Sequence, residues 1–113
     1  MTEPSFMGVP LETLRIESVT WEDEAVEHMR ARRREQGVRC PDPEEATEAA
    51  LEPNRVVRVA AGGRSLKVVG YSAMAGTLVK VWLWPKDFAE GDWYGGSAVD
   101  ANPSDKRAYT TTE

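Results

Sequence analysis

"RVVRVAAGGRSLKVVGYSAMAGTLVKVWLWP", residues 55–85, decides the fold of this chain. It holds three runs rich in β-branched and aromatic residues, 55–60, 65–72 and 77–85, which suit a pleated, half-buried surface. Gly62-Gly63 between the first two runs is a tight hairpin signal, and "AMAG" (73–76) makes a second turn. The stretch therefore predicts a three-strand antiparallel meander.

Upstream, "TLRIESVT" (13–20) alternates Leu14, Ile16 and, after one slip, Val19, and reads as a first strand. Thr20 is the expected N-cap of a helix over 21–36. Its first turn carries Glu22, Asp23 and Glu24, where the helix dipole favours negative charge. Trp21, Ala25 and Met29 recur at helical spacing and form a narrow apolar stripe widened by Val26, and Gly37 sits where a left-handed C-terminal residue belongs. "RARRR" (30–34) then reads as the solvated cationic end of that helix, or as a steering patch beside a functional surface. A second helix starts at Asp42, with Pro43 at its first position and Glu45 completing a capping box. Ala46, Ala49 and Ala50 give it a smooth face, and Pro53 closes it.

Downstream, "WYGGSAV" (93–99) reads as an edge strand weakened by Gly95 and Gly96, and "NPSDKRAY" (102–109) as one helical turn capped by Ser104. The order β-α-α-β-β-β(-β) is that of an α+β domain with two helices packed on one face of a small antiparallel sheet. The 113 residues suit one domain. We expect it to span 12–109, with a loose leader at 1–11 and a disordered tail at 110–113. The acidic N-terminus does not read as a signal peptide. One cysteine, Cys40, excludes an internal disulfide framework and fits a reducing, cytoplasmic setting. No run nears the roughly 20 apolar residues of a membrane span.

The formal charge of −5 is unevenly spread. Residues 1–52 hold thirteen acids and six bases, and 87–113 hold six acids and two bases. Residues 54–86 hold six bases (Arg55, Arg58, Arg64, Lys67, Lys80, Lys86) and no acid. An acidic total argues against a general nucleic-acid coater, yet the meander is an uninterrupted basic block.

Strand alternation sorts that block. Val79, Val81 and Leu83 share one face, which should meet the helices. Lys80, Trp82 and Trp84 share the other, together with Lys67 and Tyr71 of the preceding run. Rings interleaved with cations are what a single-stranded nucleic acid uses, since bases stack on the rings and cations hold the phosphates. The structural alternative is that terminal segments cover the tryptophans and the lysines protect a sheet edge from aggregation.

His28 borders the apolar stripe, either as a proton-transfer group or as a partly buried helix residue. One histidine and one cysteine without ligand spacing give no metal pattern, and no cofactor motif is present; "AGGRS" is explained by its turn. Cys40 reads as an inert loop thiol, and the carboxylates of "WEDEAVE" and "PDPEEATE" are explained by helix starts.

With these elements placed, "VTWEDEAVEH", "PEEATEAALEPNRVV" and "SAVDANPSDKRAY" together resemble the BrnT-like toxins of the RelE/ParE-type toxin–antitoxin superfamily. Trp21, Gly37-Val38, Glu45-Ala46, Ala98, Ala101, Asp105, Arg107 and Tyr109 fall in step with that pattern over about residues 14–109. The resemblance implies the same β-α-α-β-β-β fold, metal-independent RNA cleavage and a cognate antitoxin as partner. Cations would then stabilise the charged phosphorane while another group moves protons. The candidates are Arg64 and Lys80 for the charge, and His28 or Tyr109 for the proton. Arg58, Lys67, Tyr71, Trp82 and Trp84 are the candidate nucleic-acid contacts. Val99 stands where the family pattern has an arginine, and Asp100 follows it, which leaves a diverged nuclease, an inactive relative or a binding module as the readings. The non-catalytic alternative uses the basic-aromatic face to bind nucleic acid or protein.

Overall fold

The computed structural model describes residues 5–111. The meander forms as read: β4 (Val56–Ala60), β5 (Ser65–Ser72) and β6 (Thr77–Asp87) are antiparallel neighbours. The strand expected at the sheet edge, β7 (Asp92–Asp100), instead lies inside it. The reason is β3 (Ser18–Thr20), which pairs with β7 in parallel and takes the edge, giving the order β3-β7-β6-β5-β4. The sheet is therefore mixed, not wholly antiparallel.

The first strand is shorter than its pattern, because Leu11–Thr13 forms a helical turn and the Glu17 and Ser18 amides both donate to the Gly91 carbonyl. Thr20 does not cap the first helix, since it is paired with Tyr94 in the ladder. Helix α1 (Asp23–Gln36) begins after Glu22 and ends at Gly37, whose φ of 68° is the left-handed closure expected of glycine. Helix α2 (Pro43–Leu51) starts at Asp42, whose amide donates to Glu45 Oε1 at 3.2 Å. Ala46, Ala49 and Ala50 are fully buried against the sheet. The approach is so close that a Cβ at Gly70 would lie 1.9 Å from the Ala49 carbonyl oxygen. Met29 of α1 joins these alanines with Leu66, Val68, Val79, Val81 and Leu83 in one core, so both helices cover the face expected to receive them.

Both expected termini need correction. Residues 1–4 lie outside the described residues, but 5–11 are not a loose leader. Ser5–Phe6 and Val9–Pro10 form a two-strand ribbon (β1 and β2). Phe6 is fully buried, with its ring 5.4 Å from that of Trp93 and 5.5 Å from that of Phe88. At the other end a third helix, α3 (Pro103–Thr111), replaces the single turn and takes in residues expected in the tail. Asn102 caps it instead of Ser104: Asn102 Oδ1 accepts from the Asp105 amide at 2.8 Å, and Asp105 Oδ2 accepts from the Asn102 amide at 3.2 Å. Residues 112–113 lie outside the described residues.

Candidate nucleic-acid interface

Register aligns the second face of the sheet in rows across the strands. Arg58, Lys67, Trp82 and Ser97 form one row. Val56, Val69, Lys80 and Val99 form the next. The expected grouping of cations and rings on one face is thus real, but its full exposure is not. α3 packs over the second row: Lys80 Nζ lies 2.7 Å from Asp105 Oδ2, with the two side chains only 13% and 11% exposed. Burial acts to raise the Asp105 carboxyl. The Lys80 hydrogen bond, the Asn102 amide and the positive fields of Lys80 and Lys67 outweigh it and hold the carboxyl below its ordinary value. Lys80 also sits 5.4 Å from the centre of the Trp82 ring. A cation so engaged supports the fold and does not stand free to stabilise a phosphorane.

Tyr109 is likewise tied down, its hydroxyl donating to Glu52 Oε1, which also accepts from the Tyr71 amide at 3.3 Å. Tyr71 itself is exposed, at a separate hollow shared with Leu51 and the carboxylates Glu48 and Glu52, an unsuitable place for a phosphate. The Met74 amide and the Ser72 hydroxyl both donate to Glu48 and lower its pKa. Asp100, expected to repel a phosphate, is neutralised by Arg39, which donates to it through Nε at 2.9 Å and reaches Glu45 at 2.7 Å. Those two carboxylates raise the pKa of Arg39 further.

The uncovered part of the second face is a groove of about 330 Å³. Trp82, Trp84, Ser65, Gly96 and Ser97 come from the sheet, Ala60 and Ala61 from the β4–β5 turn, and His28, Arg32 and Arg33 from α1. No carboxylate of the described residues lines it. Two adjacent glycines make room for two indoles on opposite faces. Between the Leu83–Gly95 and Trp82–Ser97 pairs, Gly96 is an extra residue in β7. A Cβ on Gly96 would lie 2.4 Å from Trp84 Nε1, and one on Gly95 would lie 2.4–2.5 Å from the Trp21 ring. Trp84 therefore rests on bare backbone in the groove. Trp21 does so behind it, its Nε1 donating to Thr47 at 2.9 Å.

The structure thus brings His28, Trp82 and Trp84 together, with Lys67 and Arg58 beside Trp82 in the same row. Arg64 stays at the turn next to the groove, its Nε donating to the Ala61 carbonyl at 3.0 Å. The proposed catalytic four, Arg64, Lys80, His28 and Tyr109, are not assembled in one place. Reading the sequence for dipole complementarity missed Arg32 and Arg33. Arg33 is 5% exposed and donates from Nη1 to the Ala98 carbonyl at 3.1 Å, so it is no solvated helix end. The signal was available: Arg33 falls four residues after Met29 and Arg32 four after His28, on the side of α1 that meets β7. Ser65, Gly96 and Ser97 carry no charge or ring to mark them in the sequence, and their place in the groove follows from the β5–β6–β7 register and the extra residue at Gly96.

Burial raises the Cys40 thiol, against the fields of Arg30 and Arg33, which fits an unreactive loop residue. No group of three or more His, Cys, Asp or Glu side chains converges as a metal site among the described residues. None of the described helices is long and apolar enough to cross a membrane. Compared with protein families, with curated proteins and with solved structures, the chain matches none.

Proposed function

We propose that this protein is a RelE-like binding module for single-stranded RNA, with the α1–sheet groove as its binding surface. One observation carries the reading: a groove with no carboxylate among its described lining residues sets two tryptophans beside two arginines in a chain of net charge −5. Exposed Trp84, with half-buried Trp82 beside it, gives bases a stacking surface worth about 1–3 kcal/mol per base, and the exposed Arg32 guanidinium can hold a phosphate. The test is a tryptophan-fluorescence titration of the protein with a short single-stranded oligoribonucleotide. Trp84→Phe should blunt the signal, and Trp84→Ala should weaken binding about tenfold or more. Unchanged fluorescence and no retention of the oligonucleotide would sink the proposal.

Cleavage is a second reading, favoured by the position of His28 beside Arg32 in the groove. It describes a toxin-type ribonuclease held in check by an antitoxin partner. It predicts growth arrest on expression that His28→Ala relieves. Normal growth with intact RNA leaves binding alone.

A further inference from the structure

Strand β4 closes the sheet at the end opposite β3, with β5 on one side and no strand of the described residues on the other. Helix α2 packs chiefly over β5 and β6, so Val57 and Val59, on the α2 side of β4, are only half-buried. The other side of the strand presents exposed Arg58, the central residue of Val56–Ala60. Its guanidinium lies back along its own strand, with Nη1 donating to the Val57 carbonyl at 3.1 Å. Arg55 stands just before the strand and exposed Arg64 at the turn beyond it, and residues 54–86 contain no acid. An open strand edge is a template for a further strand, and a charge on it turns away chance pairing. Here the charge is of one sign, so it also selects.

We propose that the β4 edge docks an extended acidic segment of a partner protein, which adds to the sheet as a further strand. The chemistry of the segment follows from alternation. A strand paired with β4 sets residues opposite Arg58 on one face and opposite Val57 and Val59 on the other. Apolar residues opposite the valines complete their burial, and a carboxylate opposite Arg58 takes its guanidinium. The segment therefore alternates apolar and acidic residues. Its carboxylate draws the guanidinium off the Val57 carbonyl and frees that acceptor for an amide of the incoming strand. The acid-free meander offers no repulsion of its own. A second copy of this chain does not fit the edge. Two β4 strands paired antiparallel about their centres bring Arg58 opposite Arg58, and like charges directly opposite are destabilising. A lysine-rich segment meets the same repulsion.

The experiment titrates the chain with labelled nine-residue peptides and reads fluorescence anisotropy. Three of them alternate valine with glutamate, glutamine or lysine, and a fourth carries the same valines and glutamates in two blocks. The alternating glutamate peptide should bind about tenfold or more tightly than the other three. It should also slow hydrogen exchange of amides in β4, which locates it at the edge and away from the α1–sheet groove. Arg58 is exposed, so Arg58→Glu should keep the parent's melting temperature while reversing the preference toward the lysine peptide. Equal affinity for the glutamate and glutamine peptides overturns the selection of acids. Equal affinity for the block peptide means adsorption of a polyanion and overturns strand addition. Unchanged exchange in β4, or a preference for glutamate that survives in Arg58→Glu, places the peptide elsewhere and overturns the docking site, as does the failure of every peptide to bind.

Discussion

At the scale of single residues, glycine decides how closely rings and helices approach the sheet, and what lies above each glycine sets the consequence of filling it. Above Gly70 is the α2 backbone, with the Ala49 oxygen 1.9 Å from where a methyl group would sit. A helix backbone cannot step aside, so Gly70→Ala should cost about 3 kcal/mol or more. Above Gly96 is the Trp84 ring, which is 40% exposed and free to swing outward. Gly96→Ala should therefore change stability by less than about 1 kcal/mol. It should nevertheless shift tryptophan emission to the red and weaken RNA binding by dislodging the stacking surface. Chemical denaturation and emission spectra of the two variants check both halves. Equal destabilisation by the two would mean that Trp84 is held in place more firmly than its exposure indicates.

At the scale of elements, α3 is the piece that most changes the molecule, since it converts half of a basic-aromatic face into an interior. Its anchor is the Lys80–Asp105 pair, and removing one partner strands the other in a mostly buried setting. Asp105→Ala should cost about 2–3 kcal/mol at neutral pH. The Asp105 carboxyl titrates lower in the folded chain than the unfolded value of about 3.9, so its contribution is complete above that pH. It is lost as pH falls through the lower, folded value. Denaturation curves of parent and variant should stay apart from neutral pH down to about pH 4 and converge below it. A gap unchanged in stronger acid would show that the aspartate acts by its helix cap alone. The same helix marks what the sequence could tell. Strands β4 to β6 and helices α1 and α2 were legible because their signals are local: alternation, Gly62-Gly63, the Asp42–Glu45 box and Gly37. The parallel β3–β7 pairing was not legible, because it joins residues more than seventy positions apart across three short contacts. The covering of Lys80 was not legible either, since Asp105 reads locally as a cap residue and serves as one while also closing the ion pair. For the site, alternation placed Trp82 and Trp84 on the right face. The role of Arg33 depended on where α1 lies against β7, which no local pattern states.

At the scale of the whole molecule, two long-range facts set the behaviour: the N-terminal ribbon is part of the core, and positive charge is concentrated in and beside one groove. The first predicts that Phe6→Ala, which empties the space between Phe88 and Trp93, costs about 3–5 kcal/mol, a loss measurable by thermal melting. The second sets how RNA binding responds to salt. The chain as a whole carries −5, so bulk attraction to a polyanion is absent and any counterion release must come from local contacts. Arg32 and Arg33 line the groove, and Lys67 and Arg58 continue the Trp82 row beside it. Between about two and four phosphates are then within reach. For a single strand this gives a slope of log K against log salt of about −1.4 to −2.8. That is shallow beside a dedicated nucleic-acid coater, because stacking supplies the rest of the affinity and does not depend on salt. Arg32→Ala should flatten the slope by about 0.7, the share of one phosphate, while leaving the fluorescence change at saturation intact. Trp84→Ala should do the reverse, lowering affinity at every salt concentration with the slope preserved. A slope near zero in the parent would mean that bases enter the groove without their phosphates. A slope steeper than about −4 would place the contacts on a wider surface than the one between α1 and the sheet.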